Sequence, residues 1–158
     1  MCIRDSRTIW PGRFQVLSGS PLLLLDGAHN PASMRRLAES LSMLLRGKET
    51  VYVLGFSSDK DVTGSVAELS HTGGRFILTR SSHPRALEPA DAATRLSGLG
   101  LRVVCEPQLE AALWRASVMA GADGAVVVAG SLYVVGDVLR LWQDDQDLRV
   151  HWGQRPAP

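Results

Sequence analysis

Cysteine is scarce in this sequence: Cys2 and Cys105 are the only two among 158 residues. Neither their number nor their spacing suits a disulfide framework or a zinc site, and a reducing cytoplasm is the expected location. An excess of one charge is missing too. Seventeen basic against sixteen acidic residues leave a formal charge of +1, so no whole-chain field marks a binder of nucleic acid or of an anionic membrane, and neither is expected as a partner. No apolar run approaches the roughly 20 residues a bilayer crossing needs, and the N-terminus has no signal-peptide core. The pattern G-x-x-x-x-G-K-[ST] is absent and no apolar run leads into G-x-G-x-x-G, so these residues hold neither a P-loop nor a dinucleotide fingerprint. Any anion bound here must be held locally.

What is present suits one globular core: 45% of the residues are hydrophobic and 21% charged. Met1 to Ser6 match nothing periodic that follows, and residues 1–9 are expected to be a non-native leader or linker. Residues 10–142 form the expected domain. The stretch 143–158, rich in Asp, Arg, Gln and Pro, has no long apolar stripe and is expected to be a flexible tail.

A strand-then-helix rhythm runs through the domain. Residues 13–17 and 22–25 are short apolar stretches separated by Ser18-Gly19-Ser20-Pro21, which suits a hairpin. Residues 22–25, 51–54, 76–79, 101–105 and 125–129 are nearly unbroken apolar runs, as expected of strands covered on both faces. Between them, 30–46 carries Met34, Leu37 and Leu41 at helical spacing, with Asn30 as N-cap, Pro31 at the first turn and Gly47 beyond the end. Helices are also expected over 61–70, 89–99 and 107–120. The span 134–142 is assigned to helix because Val134, Val138 and Leu141 share a face, although its valines and Gly136 favour helix poorly. Such alternation implies α/β architecture, a mostly parallel sheet with helices on both faces, plus one antiparallel strand from the hairpin.

In an open parallel sheet, ligands bind beyond the carboxyl ends of the strands. Four apolar runs lead there into polar loops: Asp26-Gly27-Ala28-His29-Asn30, Gly55-Phe56-Ser57-Ser58-Asp59-Lys60-Asp61, Thr79-Arg80-Ser81-Ser82-His83-Pro84-Arg85, and Ala129-Gly130-Ser131-Leu132-Tyr133. Each has a plain reading. Asp26 and Asn30 could be turn and capping residues, His29 could accept a backbone hydrogen bond, Lys60 could be a solvated charge, and His83-Pro84-Arg85 an exposed loop. Their collective placement favours a site. An Asp at a strand end can accept both hydroxyls of a ribose, and free N–H groups at a helix start favour a carboxylate or phosphate.

Five motifs then carry a specific resemblance: Trp10-Pro11-Gly12-Arg13, Asp26-Gly27-Ala28-His29-Asn30-Pro31, Gly55-Phe56 with Asp59-Lys60-Asp61, Pro84-Arg85-Ala86, and Gly130-Ser131-Leu132-Tyr133-Val134-Val135-Gly136. In that order they resemble the C-terminal domain of folylpolyglutamate synthase and the bifunctional dihydrofolate synthase, a branch of the Mur ligase family. Muramyl-peptide ligases and cyanophycin synthetase tend to have Tyr at the position of Gly27, which favours the folate branch. The resemblance implies a Rossmann-like three-layer α/β/α fold with a six-stranded sheet, five strands parallel and one antiparallel. It implies a reaction in which ATP and Mg2+ phosphorylate a folate or dihydropteroate carboxylate, and the amine of L-glutamate attacks the acyl phosphate.

Carried over residue by residue, Arg13 and Asp26 resemble the ATP-binding pair, and His29 and Ser131 the pair that receives glutamate. Lys60, by analogy with other Mur ligases, would meet a glutamate carboxylate. Asn30 and Arg85 are possible members, Asn30 more as a helix cap and Arg85 equally as a salt-bridge residue. No residue of this chain is assigned a catalytic role or a metal. The family keeps its phosphate loop and magnesium ligands in an N-terminal ATPase domain, so the implied partners are that domain, L-glutamate, and folate or dihydropteroate. A monomeric fragment, inactive alone, is expected. The competing readings are a free-standing, non-catalytic nucleotide- or glutamate-binding module, and another Mur ligase branch.

Overall fold

Five apolar runs and a hairpin arm assemble into one six-stranded sheet in a computed structural model that describes residues 12–152. Trp10 and Pro11 of the first motif, the leader 1–9 and residues 153–158 lie outside the described residues. The strands are β1 (Gln15–Gly19), β2 (Leu22–Leu25), β3 (Thr50–Leu54), β4 (Arg75–Leu78), β5 (Val103–Cys105) and β6 (Ala125–Ala129), in the spatial order β1-β2-β6-β3-β4-β5. β1 pairs antiparallel with β2, and every other neighbouring pair is parallel. The expected three-layer architecture is therefore present.

Successive residues of a strand face opposite ways, and the sheet feeds two cores. Leu24, Tyr52, Leu54, Phe76, Leu78 and Val127 pack with α1 (Pro31–Leu44), α2 (Val62–Ser70) and α3 (Pro89–Leu96). Leu23, Leu25, Val51, Val53, Ile77, Val126 and Val128 pack with α4 (Leu109–Ala120), α5 (Leu132–Asp144) and α6 (Gln146–His151). With helices on both faces, β6 needs no polar alternation, and all its residues are fully buried.

Local chemistry explains most boundaries. Asn30 caps α1 and Asp61 caps α2, so each expected helix starts one residue later than its cap. The helix after Pro89 gives way to a 3-10 turn at Ser97–Leu99, which ends in left-handed Gly100. The hairpin arm starts at Gln15 rather than Arg13, because Gly12 at φ 77° and Phe14 at φ 47° take left-handed backbone.

Two expectations change. α5 is longer than expected, from Leu132 to Asp144, because burial of Val134, Val135, Val138 and Trp142 overrides their weak helix preference. The stretch expected to be a loose tail is, up to residue 152, packed structure. Asp145 caps α6 by accepting from the Leu148 N–H at 3.0 Å, and Leu148 and Trp152 are 4% and 1% exposed in the second core. The Ser18 hydroxyl donates to the Trp152 carbonyl at 2.9 Å, tying this end to β1. Among the described residues, no helix is long and apolar enough to cross a membrane.

Candidate functional site

Strand order decides which loops meet. β2, β6, β3 and β4 lie side by side and run parallel, so the four polar loops leaving them share one edge. α1 leaves β2 toward one core and α5 leaves β6 toward the other, so a crevice opens between their N-termini.

The first loop is tied to the segment before β1. Asp26 Oδ1 accepts from the Ala28 N–H at 2.8 Å and Oδ2 from the Phe14 N–H at 2.9 Å, while the Gly27 N–H donates to the Gly12 carbonyl at 2.6 Å. These bonds hold Phe14 in its left-handed conformation, which costs a bulky residue about 1–3 kcal/mol. They also present exposed Arg13 beside Asp26. A hollow of about 330 Å3 results, lined by Arg13, Phe14, Asp26, His29 and Arg36 among others.

His29 Nδ1 lies 2.8 Å from the Gly27 carbonyl. A carbonyl only accepts, so Nδ1 carries a proton and Nε2 is the atom left to meet a ligand. Asn30 is spent on the helix. Its Oδ1 accepts from the Ser33 N–H at 2.9 Å and its own N–H donates to Ser33 Oγ at 3.2 Å, a reciprocal capping box. Asn30 lines neither hollow.

Ser131 caps α5 by a single bond, its Oγ accepting from the Tyr133 N–H at 2.9 Å, and it is 5% exposed. Gly130 before it sits at φ 104°, and a Cβ there would lie 2.6 Å from the Gly55 carbonyl oxygen. Only glycine lets the loops after β6 and β3 approach so closely.

The loops after β3 and β4 are stitched together. The Ser58 N–H donates to the Arg85 carbonyl at 2.9 Å, the Leu87 N–H donates to the Phe56 carbonyl at 2.8 Å, and Ser57 and Ala86 form an isolated antiparallel bridge. Lys60 Nζ stands 3.7 Å from Asp59 Oδ2, a loose, half-exposed pairing that leaves the ammonium available. A second hollow of about 290 Å3 is lined by His29, Asp59, Lys60, Arg85, Ser131 and Tyr133 among others. His29 and Leu132 line both hollows and so mark the boundary between them.

The structure thus brings together Arg13 with Asp26, and His29 with Lys60, Arg85 and Ser131. Three further residues, none given a role from the sequence, belong to this edge: Tyr133, His83 and Asp137. The Tyr133 and His83 rings stack with centroids 3.8 Å apart. Asp137 accepts from the Ser82 N–H at 2.7 Å and the Ser82 hydroxyl at 2.9 Å. The available signal was the spacing of Tyr133 and Asp137, four residues apart on one helical face. Among the described residues, no group of three or more His, Cys, Asp or Glu side chains could hold a metal ion.

Residues 12–132 match the family model described as Mur ligase, glutamate ligase domain. The dihydrofolate synthase/folylpolyglutamate synthase of Escherichia coli strain K12 is 32% identical over 142 residues, covering 88% of this chain and 32% of that protein. The structure of Mycobacterium tuberculosis folylpolyglutamate synthase complexed with ADP superposes with a TM-score of 0.79 at 28% identity, over 86% of this chain and 33% of that one. A bifunctional folylpolyglutamate synthase/dihydrofolate synthase with Mn, AMPPNP and L-glutamate bound gives a TM-score of 0.77 at 32% identity, over 85% of this chain and 32% of that one. The chain spans about a third of the length of each of these relatives.

Proposed function

Because this chain belongs to the Mur ligase family as its glutamate ligase domain, we propose that it forms the glutamate-side wall of an ATP-dependent acid–amino-acid ligase of the folate branch, working in the cytoplasm. The observation that carries this reading is the second hollow: His29, Lys60, Arg85 and Ser131, from four different loops, line one space of amino-acid size. Two cations in one hollow suit an amino acid with two carboxylates. The relatives' names, which include folylpolyglutamate and dihydrofolate synthases, support the folate branch.

In this reading Lys60 and Arg85 hold the carboxylates of L-glutamate, while His29 Nε2 and the Ser131 hydroxyl orient its amino end toward the first hollow. There, Arg13 neutralises nucleotide phosphate charge. Asp26 already serves two backbone N–H groups, but each carboxylate oxygen has a further lone pair for a nucleotide hydroxyl. The residues of the first hollow fit a nucleotide edge, an acid beside two arginines; the metal would be held by the N-terminal ATPase domain. The amine of glutamate displaces phosphate from an acyl phosphate of folate or dihydropteroate, giving an amide. This chain's part is positioning and charge neutralisation, which lower the barrier without a catalytic side chain.

The 158-residue chain, which lacks a phosphate loop, is expected to show no sustained ATP hydrolysis with folate and L-glutamate. Fused behind the N-terminal domain of a family relative, it is expected to release phosphate in a glutamate-dependent manner. Turnover by the chain alone, or a fusion indifferent to glutamate, would overturn the proposal.

A further inference from the structure

His83 touches two residues that line the second hollow and does not line it itself. Its Nδ1 accepts from the Arg85 N–H at 3.1 Å, its carbonyl accepts from the Ala86 N–H at 2.9 Å, and its ring lies on Tyr133 at 3.8 Å with 20° between the planes. Both walls of the hollow, the loop after β4 and the first turn of α5, therefore meet at this imidazole. Ser82 beside it is fastened to α5 through both of its bonds to Asp137. The Arg85 carbonyl is held from the other side by the Ser58 N–H. Arg85 is exposed, and its backbone is fixed at the N–H by His83 and at the carbonyl by Ser58.

We infer that His83 is a positioning residue: wedged against Tyr133, it sets the backbone of Arg85 and so the direction from which that guanidinium enters the hollow. The inference rests on the reading of this hollow as the glutamate site. A long arginine side chain loses several rotors on binding, so pinning its root lowers the entropy still to be lost when a carboxylate arrives. An acceptor at His83 matters for the Arg85 amide, and a ring at position 133 matters for holding the imidazole in plane. The tyrosine hydroxyl has no part in either.

The test titrates L-glutamate into the 158-residue chain by NMR and follows hydrogen exchange of the Arg85 amide in the same samples. His83→Ala is expected to weaken glutamate binding roughly five- to tenfold, the equivalent of one lost hydrogen bond, and to speed exchange at Arg85. His83→Asn, whose Oδ1 can take the Arg85 N–H, should recover part of the loss. In an Arg85→Ala background, His83→Ala should cost nothing further. Unchanged binding in His83→Ala, or a loss that adds in full to that of Arg85→Ala, overturns the positioning role. If the parent chain binds no L-glutamate, the functional reading fails on its own, while unaltered Arg85 exchange in His83→Ala overturns the clamp separately.

Discussion

The two hollows that meet at His29 are built differently. In the first, the acid is part of the scaffold: Asp26 gives one oxygen to Phe14 and the other to Ala28, and holds a left-handed phenylalanine in place. In the second, the frame joins backbone contacts, the Gly130–Gly55 approach and the Ser57–Ala86 bridge, to the His83 and Ser131 side chains, while Lys60 has only a loose partner in Asp59 and Arg85 is exposed. Stability and ligand binding should therefore be coupled in the first hollow and separable in the second. That difference can be tested by substitution.

The largest effect is expected where the second hollow's backbone frame is broken. Gly130→Ala forces a Cβ against the Gly55 carbonyl at a positive φ, and should lower unfolding free energy by about 3 kcal/mol in a urea melt. A milder Gly130→Ala would mean that the two loops can separate cheaply.

Next comes Asp26→Ala, which leaves two backbone N–H groups without their acceptor and should cost about 2 kcal/mol while weakening ATP binding in a full-length fusion. The coupling of the two losses is the point. An Asp26→Ala protein that is as stable as the parent but cannot bind nucleotide would erase the contrast between the hollows.

Lys60→Ala probes the other side of the comparison. Its ammonium has one loose partner, so stability should stay within about 0.5 kcal/mol of the parent. Glutamate binding should nevertheless fall about tenfold, as expected for loss of one charge-assisted contact. Calorimetric titration together with a thermal melt separates the two readings.

What could be read from the sequence follows the same division between local and distant causes. The start of α1 was legible because Asn30 and Pro31 act on their own neighbours, and the four loops were legible because each follows an apolar run. The order β2-β6-β3 was not, since no local pattern says that β6 inserts between strands joined by α1. The short helix α6 was missed because only Leu148 and the C-cap Trp152 are buried there, while Val150 is half exposed, and that burial comes from distant residues of the second core such as Trp142. His83 looked like an exposed loop residue, as its partner Tyr133 lies fifty positions away. Roles for Arg13 and Ser131 came from the family resemblance, because an arginine beside a glycine and a serine at a helix start have no distinctive chemistry alone.

The smallest effect belongs to a pair that lines neither hollow, and it shows what an uncoupled surface contact does. Arg35 donates to Glu68 through Nε at 3.2 Å and through a terminal nitrogen at 2.8 Å, joining α1 to α2. The hydrogen bond from Arg35, with its charge, holds the Glu68 carboxyl below its ordinary value of 4.5. A carboxyl with a lowered folded-state value contributes stability above its unfolded value, and loses it as pH falls through the folded one. Arginine stays charged throughout, so the Arg35 contribution varies with pH through the acid limb alone. Glu68→Gln should therefore melt slightly below the parent at neutral pH, with the gap closing as the pH drops below the carboxylate range. Its glutamate and nucleotide binding at neutral pH should match the parent. A gap that persists in acid would mean that the contact acts through packing of the side-chain stems rather than through charge.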